Sequence, residues 1–302
     1  MVYKPSWFCD GSVIISNAPT CGVNKDGLEQ FSVDSGTGMR SETIDDRLYE
    51  DVLNIKTNNL SRGSIDKVEL EKIYETKIAV PKYYEHISVE QINKEFSNND
   101  FFILISLKEL KEEGFIELFN GHGSPSADQR IGDIPYIKVS DLRAGQVNIN
   151  PSNLIPRQLA ENYWKGYCSK LKAYDLISPE RASKNIGEFC VLMPGQENIV
   201  LTKEVIIIRS TEKAPFTQFY LMWALSLSSV RKQWERVILM QTNREDVGSR
   251  YEEIIIPVPK NNSIMADVAN PFEQYYKGLY ELRTSFIESI ESSLFQHHIY
   301  FE

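Results

Sequence analysis

The stretch EVIIIRSTEKAPFTQFYLMWALSLSSVRKQWERV, residues 204–237, decides the reading of the fold. Glu204–Arg209 is a short β-branched run, as expected of a buried strand. After Pro215 the period changes. Phe216, Phe219, Tyr220, Trp223, Leu227, Val230, Trp234 and Val237 recur every three or four residues and predict one helix from Pro215 to Val237. A strand followed closely by an aromatic-rich helix belongs to a mixed α and β architecture with a large core. The most apolar part, Phe216–Val230, is too short and too rich in Thr, Gln and Ser to cross a bilayer, so no membrane association is expected.

Outward from this stretch, further strands are expected at Phe115–Phe119, Ile134–Val139, Gly187–Met193 and Ile199–Leu201. A last strand, Glu253–Ile256, should stop at Pro257 and Pro259. Ser106-x-x-Glu109 reads as a capping box for a short helix that Gly114 ends. Nearer the start, Ser12–Ser16 reads as a strand and Val23–Ser41 as an exposed hairpin or loop. Helical patterning follows from Thr43, with Ile44, Leu48, Val52 and Leu53 on one face, then over Ile65–Tyr74, and over Ser88–Phe96 behind a second capping box. At the other end, Asn270-Pro271 reads as a cap with proline at the first helical position. It opens a long helix to Gln296 with the stripe Phe272, Tyr275, Leu279, Leu282, Phe286, Ile290 and Leu294. That stripe either folds back on the Thr43–Tyr74 helices or meets a helix of another chain.

The expectation is an α+β protein: residues 1–98 with short helices, a mixed α/β domain with a curled sheet at 99–260, and a long C-terminal helix at 261–302. The boundary is set at Asn98–Asp100.

Composition narrows the function. The 302 residues carry 33 Lys plus Arg and 42 Asp plus Glu, a net charge of -9, which argues against a free, non-specific nucleic-acid binder. The charge is uneven: residues 1–100 and 261–302 are acidic, whereas Arg130–Lys184 holds nine basic and five acidic side chains. Four scattered cysteines without a C-x-x-C pair, and four histidines, support neither a zinc site nor a disulfide framework and suggest a reducing cytoplasm. Glycine-rich cofactor loops and the G-x-S-x-G and H-E-x-x-H motifs are missing, so no catalytic residue is assigned. Gly121-His122-Gly123-Ser124 reads as a plain surface loop, and His297-His298 as a chain end. Asn17-Ala18-Pro19-Thr20 and Asn270-Pro271-Phe272 lack the doubled proline of an adenine-gripping signature.

Two clusters could meet a nucleic acid. Arg157, Tyr163, Trp164, Lys165, Tyr167, Lys170, Lys172 and Tyr174 mix cations, which pair with phosphates, with flat rings. Gln241, Thr242, Asn243, Arg244, Ser249 and Arg250 include side chains able to pair with base edges. Alone, the first also fits a solvated helix with its rings on the core, and the second a helix-capping turn.

An ordered set of segments shifts that balance. Leu107–Ile116 (LKELKEEGFI), then GHGS, then Gly132–Leu142 (GDIPYIKVSDL) resemble the opening of a target recognition domain from the specificity subunits of type I restriction–modification systems. The Pro215–Val237 helix, Val247-Gly248-Ser249 and Ile254–Pro259 (IIIPVP) are similar to the end of such a domain. Cys21–Gly27 (CGVNKDG) with Asp45-Asp46 resembles the final segment of adenine DNA methyltransferase subunits, without their catalytic motifs. The resemblance implies a non-catalytic, DNA-binding recognition subunit that directs a partner adenine methyltransferase and nuclease to its target. It implies double-stranded DNA, the methyltransferase subunit and a second copy as partners. S-adenosylmethionine would sit on the methyltransferase and no cofactor on this chain. Candidate DNA-binding residues are Arg130, Lys138, Arg143, Arg157, Tyr163, Lys165, Lys170, Lys172, Gln241, Thr242, Asn243, Arg244 and Arg250, and the terminal stripe is the candidate docking helix. Alternatives are the recognition part of a fused methyltransferase, or an interaction module that no longer meets DNA.

Overall fold

The computed structural model describes residues 11–60, 63–96, 100–149, 152–181, 183–241 and 244–292. Thr242, Asn243 and Leu294 of the candidate residues lie outside them. The chain divides into two compact units, Met1–Ile87 and Ser88–Glu302.

In the smaller unit, Ser12–Ser16 pairs antiparallel with Ile65–Glu69, and Phe31–Val33 pairs with Arg40–Ile44 as a hairpin. Helix starts later than the periodicity from Thr43 implies: Asp46 accepts the Tyr49 N–H and opens the helix Arg47–Lys56, while Thr43 and Ile44 stay in the hairpin. Ile65–Glu69 is strand rather than helix: it pairs along its length with Ser12–Ser16, with Asp66 and Val68 buried on one face and Lys67 and Glu69 exposed on the other; helix follows only at Leu70–Thr76. Buried Asp51 is satisfied by the Ser16 hydroxyl at 2.7 Å and the Ser64 N–H at 3.2 Å. Buried Asp66 receives Asn17 Nδ2 at 3.3 Å and bonds the His86 ring. The buried apolar set among the described residues here is small: Ile65, Val68, Leu70, Tyr83 and Tyr84.

The larger unit begins N-terminal to the expected boundary, since Ile92 and Phe96 of the helix Ile87–Phe96 are buried in its core. Its main sheet has six strands in the order Ile116–Asn120, Val205–Ser210, Leu176–Pro179, Cys190–Val191, Gln146–Val147, Leu142–Arg143. The pairing is antiparallel except between Cys190–Val191 and Gln146–Val147. A three-stranded sheet, Leu154–Ile155, Ile134–Ile137, Val200–Leu201, adjoins it in sequence. The main sheet is covered on both faces, which explains the unbroken apolar run of its second strand. Ile206 and Ile208 enter one cluster with the helices, while Val205 and Ile207 enter another with Ile137, Leu142 and Leu192.

The helix expected over Pro215–Val237 is two helices, Gln218–Ser226 and Ser228–Val237. Leu227 between them is extended, and the Ser226 hydroxyl donates to the Met222 carbonyl at 2.7 Å; the serines at 226, 228 and 229 offer the backbone alternative partners. The closing strand is Ile255–Pro259, with both prolines inside it. It pairs with Phe102–Ser106 in a two-stranded sheet, where edge positions tolerate a missing N–H. The terminal helix runs from Asn262 to Glu291. Asn261 is its cap, accepting the Ile264 N–H at 3.0 Å, so Pro271 is interior and Asn270 caps nothing.

Candidate nucleic-acid interface

The helix Arg157–Trp164 ends where Lys165 turns left-handed at φ 56° and its N–H bonds back to Glu161. Trp164 is buried and donates Nε1–H to the Ile199 carbonyl at 3.1 Å, which anchors the helix to the three-stranded sheet. Tyr163, one residue earlier, packs on the loop Gly121-His122-Gly123. A Cβ on Gly123 would lie 2.2 Å from the tyrosine ring, and one on Gly121 would lie 1.9 Å from the Thr202 carbonyl oxygen. Glycine is therefore required at both ends of this loop, which threads between a strand and an aromatic wall.

His122, between them, is held by backbone. Its N–H donates to the Leu201 carbonyl at 2.9 Å, and its Nδ1 accepts the Leu201 N–H at 3.4 Å. Burial, with a smaller contribution from nearby Lys170, lowers its pKa to about 4. The imidazole is neutral at physiological pH, and because Nδ1 accepts, its proton sits on Nε2.

Around this loop lies a cleft of about 410 Å³ lined by Glu117, Phe119, Asn120, His122, Tyr163, Trp164, Lys165, Lys170 and Arg209. Three cations face one carboxylate there. Next to it, a cleft of about 620 Å³ holds Lys172, Lys213 and Arg209 against Glu117, Asp175 and Glu212. That second set is electrically balanced. The basic side is the one with Tyr163, Lys165 and Lys170, and it suits a phosphate backbone beside a stacking surface.

Arg209 and Glu117 belong to both clefts. Arg209 Nε and Nη2 each donate to fully buried Asp175 at 2.6 Å, and Nη1 donates to Glu117 at 3.1 Å. Burial works against the guanidinium charge, but Asp175 and then Glu117 outweigh it, so the pKa is raised.

The other candidates are dispersed. Arg157 is exposed at the far end of the helix from Lys165. Arg130 donates to the Pro125 carbonyl and lies over the Tyr136 ring, and Lys138 donates to Asn153 at 2.7 Å. Arg143 is exposed on the edge strand opposite Ile116–Asn120. Arg250 is committed to the Val237 and Asp246 carbonyls at 3.0 and 2.7 Å. Gln241 and Arg244 pair across the hairpin Leu239–Gln241/Arg244–Asp246, which the bridge Arg181↔Asp246 joins to the end of a main-sheet strand. In the docking stripe, Phe272 and Leu279 pack on the unit's own core, while Tyr275, Leu282 and Phe286 are exposed.

Glu117, Asn120 and Arg209 are not singled out by the sequence, and Gly121-His122-Gly123, expected as a plain surface loop, is instead packed between Thr202 and the Tyr163 ring. The available signals were a histidine between two glycines and one arginine closing an otherwise apolar strand. Among the described residues, no group of three His, Cys, Asp or Glu side chains could hold a metal, and no helix is long and apolar enough to cross a membrane.

The molecule is thus an α+β protein with a sheet covered on both faces, a basic, aromatic-walled cleft at one sheet edge and a long terminal helix. Among solved structures it is similar to the S subunit of a type I restriction–modification system from M. genitalium, at 15% identity over 64% of this chain and 44% of that one, with a TM-score of 0.42. It is also similar to a chain from a structure of type I R-M system assembly and conformational transition (13% identity, 80% and 52% coverage, TM-score 0.39). A third is the HsdS subunit from Thermoanaerobacter tengcongensis (10% identity, 82% and 60% coverage, TM-score 0.37). This chain spans about half the length of those structures. No protein-family profile matches it, and no curated protein does.

Proposed function

We propose that this chain is a sequence-specific DNA-recognition subunit of a restriction–modification system, non-catalytic by itself, which directs a partner adenine methyltransferase and nuclease to their target. The observation that carries this reading is the cleft at the sheet edge, where Lys165 and Lys170 stand beside the Tyr163 ring and outnumber the only carboxylate. Lysines there supply phosphate contacts, and the neutral His122 offers a donor without added charge. Any S-adenosylmethionine belongs to the partner.

Protein partners are supported by what stays uncovered. The terminal helix exposes Tyr275, Leu282 and Phe286, and the smaller unit exposes Leu28, Val33, Met39, Tyr49 and Leu53. Surfaces of this kind mark protein contacts. Since the whole chain is acidic, partners also supply part of the phosphate contact in the assembled complex.

The test is DNA retention across a salt series, by the chain alone and with its methyltransferase. Lys165→Ala with Lys170→Ala should weaken binding about tenfold or more and flatten the salt slope by about two, one per lost phosphate contact. An unchanged slope sinks the reading.

A further inference from the structure

The segment between Lys165 and Asp175 has no helix or strand to hold it, yet it carries Lys165, Lys170 and Lys172. Its second half is held in several places: the Ser169 hydroxyl donates to the Glu197 carbonyl and accepts the Leu171 N–H at 3.2 Å, and the Tyr174 N–H donates to the Leu192 carbonyl at 2.7 Å, with three further attachments around the lysines. Leu171 is buried in the core shared with Ile177 and Leu201. The Lys172 N–H donates to Asp175 Oδ2 at 2.9 Å. Arg209 Nη2 donates to the Lys170 carbonyl at 2.9 Å.

Arg209 makes that last bond while also bonding Asp175 and Glu117, and it sits over the Phe119 ring at 5.3 Å. Its strand partner in the register is Glu117 itself. One guanidinium therefore ties two sheet strands, a buried aspartate and the backbone of Lys170. The result is a partition: Lys170 lines the basic cleft with His122, and Lys172 lines the balanced cleft with Lys213. A lysine ammonium, a compact point charge, cannot span these acceptors as a planar fork does. Buried ion pairs are often replaceable by well-packed uncharged groups without loss of stability.

We propose that Arg209 is a positioning residue for DNA binding: it fixes the Lys170 backbone so that the lysine side chain stands in the basic cleft at the height of a phosphate. This rests on the DNA-recognition reading above, and the test separates the two.

Full-length protein is titrated onto a short random-sequence duplex, followed by fluorescence anisotropy over a salt series, with far-UV circular dichroism as the check on folding. The variants are Lys170→Ala, the pair Arg209→Met with Asp175→Asn, and all three together. The asparagine keeps an acceptor for the Lys172 N–H. The pair should match Lys170→Ala, with about tenfold weaker binding and a salt slope flatter by about one. The triple variant should be no worse than either, because both changes remove the same contact. A loss of folded protein would lower the active fraction and leave the slope alone.

A wild-type slope in the pair, or losses that multiply in the triple variant, overturns the assignment of Arg209 while the DNA reading stands. A wild-type slope in Lys170→Ala overturns the Lys170 contact itself and the assignment of Arg209 with it. If the pair does not fold, Arg209→Lys enters the same cycle, with the same expected and overturning results.

Discussion

At the cleft, His122 and Gly123 govern what a change of pH or a single methyl group does. His122 is lowered to about 4 in the fold, mainly by burial, whereas an unfolded histidine titrates near 6.5. Between those values the unfolded chain binds the extra proton, so stability falls as pH drops from about 6.5 to about 4 and is level above that window. His122→Asn keeps an acceptor for the Leu201 N–H, because its Oδ1 is bonded to Cγ as Nδ1 is, and removes the titration. Urea midpoints at pH 7 and pH 4.5 should fall further in the wild type than in the variant; equal falls would contradict the burial of this ring. Gly123→Ala sets a methyl 2.2 Å from the Tyr163 ring, so either the ring or the loop must shift. The expected cost is about 1–3 kcal/mol in urea unfolding at pH 7, with DNA retention reduced through Tyr163. The sequence alone showed the aromatic and basic residues but not this packing: a G-H-G triplet is the same string on an open loop as between Thr202 and Tyr163. Arg209 was hidden for a similar reason, since an arginine after four β-branched residues also reads as the solvated end of a strand.

Element by element, the strand and helix types were legible wherever one periodicity ran unopposed, as at Val205–Ser210, at Arg47–Lys56 and behind the Ser106–Glu109 capping box. Boundaries failed where two residues competed for one role. Asn261 is followed by Asn262 and Ser263, which are poor helix formers, whereas the proline after Asn270 suits a first helical position and favoured that asparagine as the cap. The structure gives the cap to Asn261 and places Pro271 inside the helix, on an exposed position. The two readings differ measurably. A proline at the first helical position is nearly free, whereas one in the interior lacks an N–H and crowds the preceding turn, at about 3 kcal/mol. Pro271→Ala should therefore raise the thermal midpoint and the helical circular dichroism signal, by up to about 3 kcal/mol, and Asn261→Ala should cost about 1 kcal/mol. No gain from Pro271→Ala would return the helix start to Asn270. At the midpoint of Gln218–Val237 no such competition was visible in the apolar spacing, which stays in phase across Leu227; only the serines around it marked the break.

For the whole molecule, the division into two compact units has a thermodynamic consequence. Among the described residues, the smaller unit buries only Ile65, Val68, Leu70, Tyr83 and Tyr84 of its apolar side chains, while the larger one buries three clusters on both faces of its main sheet. Small cores leave little surplus over chain entropy, so the smaller unit should unfold first. Trp164, Trp223 and Trp234 all belong to the larger unit, and Trp7 is the remaining tryptophan. In a Trp7→Phe variant, tryptophan fluorescence follows the larger unit alone, whereas far-UV circular dichroism follows both. Urea unfolding should then give two curves that do not coincide, with dichroism changing at lower urea than fluorescence. Coincident curves would mean one cooperative molecule and would contradict the separate cores. A bound partner acts on this difference directly: a protein that covers Leu28, Val33, Met39 and Leu53 binds only the folded smaller unit and must move the early transition toward the late one. A partner seated only on Tyr275, Leu282 and Phe286 leaves the early transition where it was, so the same two probes report which surface a methyltransferase occupies.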